Sequence, residues 1–219
     1  MNRITPDVPR HIVVAMTGAS GALYGLELVR ALLASGCRVS LLLSAAAHQV
    51  LQLEQGLNWS QEPAVFQRLA REYFADQTGH LCCYGAQDFS APVASGSAAA
   101  DAMVVIPASM GSVARFALGI SSSLIERTAD VMLKERRPLI VVPRETPLST
   151  IHLRNLLTLA EAGAVVLPAM PAFYSQPQSL LDLVHFVVGK VLDQLHLGHD
   201  LFTRWGETSA PDGETPPAI

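Results

Sequence analysis

HIVVAMTGASGALYG, residues 11–25, carries an apolar run into a glycine-rich turn and on into a segment with helical spacing. A strand that feeds a tight turn and then a helix is the opening unit of a parallel α/β sheet. Four more short runs rich in Val, Ile and Leu follow along the chain: RVSLLL (38–43), AMVVI (102–106), PLIVV (138–142) and AVVLP (164–168). Each is too short for a buried helix, and helix-period segments separate them. Strands that read as continuous apolar runs are buried on both faces, as in a parallel sheet covered by helices. Gly36 and Gly163 stand where helix C-terminal caps belong. Ser123 with Glu126, and Ser179 with Asp182, have the spacing of N-terminal caps. The stretch from Gln77 to Ala100 lacks a clear period and reads as a long loop or an edge excursion.

The 219 residues, half of them hydrophobic, suffice for one sizeable core. Residues 1–10 are predicted to be a flexible N-terminal segment, 11–207 a single domain, and the polar, proline-rich 208–219 a disordered tail. A net charge of −4 with mixed signs offers no polybasic face, so nucleic acid is not an expected partner. The apolar stretches are interrupted before the roughly 18 residues of a membrane span, and a soluble, cytoplasmic protein is expected. Cys37, Cys82 and Cys83 lack CxxC spacing and are read as reduced thiols; no metal site is expected.

Ligands of open parallel sheets gather beyond the carboxyl ends of the strands. There the chain reads TGASG, SAAAH, PASMGS, PRETP and PAMPAFY, which are mostly small, hydroxyl-bearing or charged residues. At Gly18 and Gly21 the main chain can approach an anion, and the following helix adds unpaired N–H groups. A phosphate is the natural occupant, although the spacing matches neither GxGxxG nor the P-loop, and a plain strand-to-helix turn is the alternative. Arg144 and Glu145 leave an apolar strand, where the guanidinium can clamp a phosphate or form a surface ion pair. Ser109 and Ser112 can grip a ligand or simply cap a helix. Arg127, Asp130 and Lys134 have the spacing of an exposed ion-pair ladder. Lys190, alone in an apolar helix, reads as a snorkelling cation, with anion binding the alternative. The histidines lack HExxH spacing, and there is no GxSxG elbow.

Taken together, MTGASGALYG, LIERTADVMLKERRPLIVVPRETPLS, EAGAVVLPAMPAFYSQPQSLLDLVHFVVGKVLD and RWGE resemble the UbiX/Pad1 flavin prenyltransferases over residues 11–207. The resemblance implies an α/β, three-layer Rossmann-like (flavodoxin-like) parallel sheet with helices on both faces. It also implies a homo-oligomer, typically a dodecamer, whose active sites are shared between subunits. The implied reaction joins the dimethylallyl group of dimethylallyl phosphate to N5 and C6 of reduced FMN without a metal. Its product, prenylated FMN, would serve a UbiD-type decarboxylase.

By the same resemblance, Gly18, Ala19, Ser20, Ser44, Ser109, Met110, Gly111, Ser112 and Arg144 are expected to bind FMN. Ser95, Arg127, Lys134 and Glu145 would hold the prenyl phosphate, with Trp205 in the C-terminal segment and Tyr174 and Lys190 reaching in from another subunit. Cationic side chains suit a departing phosphate dianion, and an aromatic face suits an allylic cation. Phe89 stands where relatives carry tryptophan; Ser20, Glu54 and Glu145 are the candidates for proton removal, with the released phosphate itself as the alternative base. Ala108 where cysteine is common, and the serines of GISSSLIER, depart from the family pattern. Two rivals are a flavoprotein of the cysteine-decarboxylase type and a flavin-binding chaperone or carrier. PAMPAFY in place of PxMNxxMW counts against the first, and the presence of Lys134, Glu145 and Lys190 against the second.

Overall fold

The computed structural model describes residues 9–206. The expectations for the 208–219 tail, for Glu207 and for residues 1–8 of the N-terminal segment therefore lie outside the described residues.

Six strands form one wholly parallel sheet: β1 (His11–Met16), β2 (Arg38–Leu43), β3 (Leu81–Tyr84), β4 (Ala102–Ala108), β5 (Leu139–Pro143) and β6 (Val165–Val166). Their order is β3-β2-β1-β4-β5-β6, so the direction of winding reverses between β1 and β4. The five apolar runs supply all but β3. That strand, LCCY, lies inside the 77–100 stretch at the sheet edge, and only its alternate residues are buried. Its period of two therefore spans too few residues to register as a strand in the sequence. β6 is much shorter than its apolar run, two residues long and half-buried.

The pleat of β1 divides the core. Ile12, Val14 and Met16 pack on one face with α1 (Ala22–Ala34), α2 (Ala45–Gln55), α3 (Pro63–Tyr73) and α7 (Leu180–Gln194). Val13 and Ala15 pack on the other with α4 (Met110–Ala117), α5 (Leu124–Lys134) and α6 (Thr150–Glu161). Three layers result, as the resemblance implies. The expected helix ends are also found. Ser123 and Ser179 accept hydrogen bonds from Glu126 N and Asp182 N, and Gly36 and Gly163 take positive φ just beyond α1 and α6. Pro107, in the middle of the sheet, lacks an N–H, and the β4–β5 register shifts between Val105 and Ala108. No helix of the described residues is long and apolar enough to cross a membrane.

Candidate functional site

Thr17 sits where β1 ends, buried to 2% exposure, and ties two strand exits together. Its hydroxyl donates to Pro107 O at 3.0 Å and accepts from Ser109 N at 2.7 Å, while its own N–H donates to Pro107 O at 3.1 Å. Across β1, Ser44 N donates to Met16 O at 3.1 Å and joins the exit of β2 to the same point. Three strand ends and the helices that follow them are thus drawn together where the winding reverses, the usual ligand position in such sheets.

Between them lies a cavity of about 420 Å³ lined by Thr17, Gly18, Ser44–Ala46, Ala86, Gln87, Ser109, Ser112, Arg115, Ser122, Ser123, Ile125 and Glu126. Ser44 caps α2 by accepting from Ala47 N at 3.1 Å; Ser109 caps α4 by accepting from Ser112 N at 3.3 Å. Both helices thus start at the cavity wall. Gly18 is required by close approach, because a Cβ there would lie 2.5 Å from Ala46 Cβ at the start of α2. Leu124 N donates to Ala86 O at 2.8 Å and holds the 85–87 turn against the start of α5.

The N-terminus of α1 is closed differently. Gly21, at φ 108°, offers no capping side chain, and Glu54 of α2 takes over. Its carboxylate accepts from Gly21 N at 2.9 and 3.1 Å and from Ala22 N at 2.8 Å, an arrangement favoured by the positive end of the helix. Arg144, leaving β5, donates through Nε to Ser20 O at 3.0 Å and braces the same turn. Burial pushes the Tyr24 hydroxyl above its ordinary pKa, and nearby Arg144 draws it back in part.

The expected residues fall into three groups. Gly18, Ser44, Ser109 and Ser112 line the cavity, with Ala19, Ser20, Met110, Gly111 and Arg144 in the turns beside them. Ser95, Arg127 and Lys134 gather at a second point, the 94–97 turn. Arg127 Nε donates to Ala94 O at 3.0 Å, and a Cβ on Gly96 would meet Lys134 Nζ at 2.8 Å. Half of the expected ladder forms: Arg127 Nη1 pairs with Asp130 at 3.0 Å, but Lys134 pairs with Glu135 instead. Glu145 is exposed after β5, where it accepts from Thr146 N at 3.0 Å; Phe89 is 47% exposed beyond the 85–87 turn.

The third group lies on the opposite layer, around α7. Tyr174 meets Trp205 edge to face at 5.1 Å, and Lys190 pairs with Asp193 at 3.5 Å. Asp193 also accepts from Arg204 at 2.9 Å and from His199 at 3.2 Å; these bonds, the Arg204 one foremost, hold its carboxyl below the ordinary range. Within one chain the sheet separates this cluster from Arg127 and Lys134.

Thr17, Ala86, Gln87, Arg115, Ser122 and Glu126 escaped sequence reasoning as site residues. The signal for Thr17 was its hydroxyl directly at a strand exit. Arg115 and Glu126 meet only through the α4–α5 packing, at 3.4 Å.

The cavity suits FMN in size and donor chemistry. It combines serine hydroxyls and helix starts for a phosphate, one guanidinium, and a glycine where a side chain would fill the cradle. Among the described residues no cluster of three His, Cys, Asp or Glu could hold a metal ion.

Comparison with known proteins gives a consistent picture. A family model described as Flavoprotein matches residues 2–192. A protein described as flavin prenyltransferase UbiX from Alkalihalophilus pseudofirmus is 48% identical over 200 residues, 91% of this chain and 98% of that one. The crystal structure of AnUbiX (PadA1) in complex with FMN and dimethylallyl pyrophosphate superimposes with a TM-score of 0.81 at 42% identity, covering 92% of this chain and 100% of the other. That of a dodecameric FMN-dependent Ubix-like decarboxylase from Escherichia coli O157:H7 gives 0.79 at 40% identity, covering 89% and 98%.

Proposed function

We infer that the chain, which belongs to the Flavoprotein family and within it to the UbiX flavin prenyltransferases, joins the dimethylallyl group of a prenyl phosphate to reduced FMN. One observation carries the reading at the level of this chain. Thr17 and Gly18, Ser44, and Ser109 with Ser112, from three separate strand exits, line one cavity at the point where the winding reverses.

Bound there, reduced FMN supplies the nucleophilic N5 and C6 positions. The backbone of Gly18, Ala19 and Ser20, with Ser44, Ser109, Met110, Gly111 and Ser112, holds the flavin, and Arg144 keeps the Ser20 carbonyl and its turn in place. Arg127 and Lys134, beside Ser95, receive the phosphate ester. Their charges stabilise the dianion that departs as the allylic C–O bond breaks. Phe89 covers the developing cation with its ring face. Ser20 and Glu145 would serve in proton transfer: N5 and C6 each give up a proton as their bonds form, the dimethylallyl double bond takes one up so that C6 can close the ring, and the other leaves with the phosphate. Glu54, both of whose oxygens already accept backbone N–H groups, acts chiefly by fixing the turn that carries Ser20.

Tyr174, Lys190 and Trp205 complete the site from a neighbouring copy in a dodecamer. A dodecameric relative of the same fold supports that arrangement. Prenylated FMN then passes to a UbiD-type decarboxylase in the cytoplasm. The test is to mix the protein anaerobically with reduced FMN and dimethylallyl phosphate and to weigh the extracted flavin. A gain of one dimethylallyl unit with release of phosphate is expected; an unchanged flavin mass would overturn the reading.

A further inference from the structure

We propose that Arg115, oriented by Glu126, is the residue that selects a phosphorylated flavin over unphosphorylated riboflavin, an inference that rests on the flavin reading of the cavity. Among the described residues lining the cavity, Arg115 is the one Lys or Arg and Glu126 the one Asp or Glu. The remaining polar side chains there are neutral: Ser, Thr and Gln. Neutral hydroxyls serve a ribityl hydroxyl and a phosphate almost alike. Beyond the modest pull of the helix starts, a guanidinium separates the two, because its hydrogen bonds to phosphate are charge-assisted.

The pair is built to hold that cation still. Glu126 is 9% exposed and accepts from Ser122 N at 2.8 Å and Ser122 Oγ at 2.6 Å, so its carboxylate is fixed at the start of α5. Arg115 Nε stands 3.4 Å from it, and Nη1 donates to Gly111 O at 3.3 Å. Those contacts engage Nε and Nη1; the donors on Nη2 make no hydrogen bond among the described residues. The arginine side chain itself is 52% exposed, which leaves it reachable from the cavity mouth. Arg144 is differently engaged, with its Nε bound to the Ser20 carbonyl, and does not line the cavity.

The experiment titrates the assembled, full-length protein with FMN and with riboflavin, read by flavin fluorescence. The unaltered protein should prefer FMN, and rising salt should narrow the preference. Arg115→Gln should raise the FMN dissociation constant about 10- to 100-fold and leave that of riboflavin within about twofold. Arg115→Lys should recover part of the loss. Glu126→Gln should reduce the preference, and the double variant should lose no more than Arg115→Gln alone, since both act through one guanidinium. Riboflavin binding serves as the control for a folded cavity. Equal loss of both flavins, an unchanged preference in Arg115→Gln, or an unaltered protein that binds the two equally would overturn the inference. An unaltered protein that binds neither would instead overturn the flavin reading beneath it.

Discussion

Replacing Gly18 by alanine tests the geometry of the cavity most directly. The added Cβ would lie 2.5 Å from Ala46 Cβ, against the 3.4 Å or more of ordinary contact, and its next neighbours, Ala46 Cα and C, would be at 3.8 and 3.9 Å. One methyl group is therefore the whole obstacle. Relieving it moves the start of α2 by about an ångström, at a cost of roughly 2 kcal/mol by analogy with overpacked cores. For a domain of this size that corresponds to about 4–8 °C in apparent melting temperature. FMN affinity should fall as well, because Ser44 moves with the helix. Ala46→Gly alone should cost about 0.5–1 kcal/mol through helix propensity. In the double variant the collision is gone and Gly18→Ala restricts the unfolded chain, so stability should return to within about 1 kcal/mol of the starting protein. Thermal melts and FMN titrations of the four proteins complete the cycle. Should the double variant lose the sum of the two single losses, the steric account of Gly18 is wrong.

Thr17→Val keeps the shape of a buried side chain but leaves Ser109 N without its acceptor. A loss of about 1–3 kcal/mol in urea unfolding is expected, with weaker FMN binding; an unchanged midpoint would remove Thr17 from its bridging role. Glu54→Gln retains a side-chain oxygen for Gly21 N and Ala22 N and loses the charge, so the melting point should fall by only about 1–4 °C, with turnover reduced less than tenfold. A loss beyond a hundredfold at an unchanged melting point would make Glu54 the base. Burial, helped by Arg38, holds His11 below its ordinary pKa, and burial does the same for His48. The fold therefore takes up protons at these two less readily than the unfolded chain, which does so below about pH 6.5. The melting point should be flat between about pH 7 and 8 and decline as the pH drops below about 6.5, with a shallower decline in His11→Gln; an identical decline in that variant would exclude His11 as a contributor.

What could be read in advance followed burial. β1, β2, β4 and β5 are covered on both faces and are nearly uninterrupted apolar runs in the sequence. β3, with Cys82 and Tyr84 half-buried at the edge, carries too few residues to separate a period of two from a loop. The site divides the same way. Gly18, Ser44 and Ser109 are legible because a strand exit is a local feature. Arg115 and Glu126 stand eleven positions apart on different helices, and nothing short of the α4–α5 packing makes them neighbours. Arg127 and Lys134 were open to two readings, because helical spacing predicts a partner on the same face and says nothing of a turn such as 94–97 arriving from elsewhere. Glu54 was readable as an acid and not as a cap, since the helix it closes is a different one from its own.

The separation of α5 from α7 by a whole β-layer has a genetic corollary. A copy damaged at Lys134 and a copy damaged at Lys190 carry their defects in halves that, under the proposed assembly, belong to different pockets. Co-expressed, the two dead alleles would reconstitute some intact pockets in mixed particles, whereas two lesions placed together on α5 would not. Complementation between alleles would thus map which helices share a pocket, without any need to see the flavin.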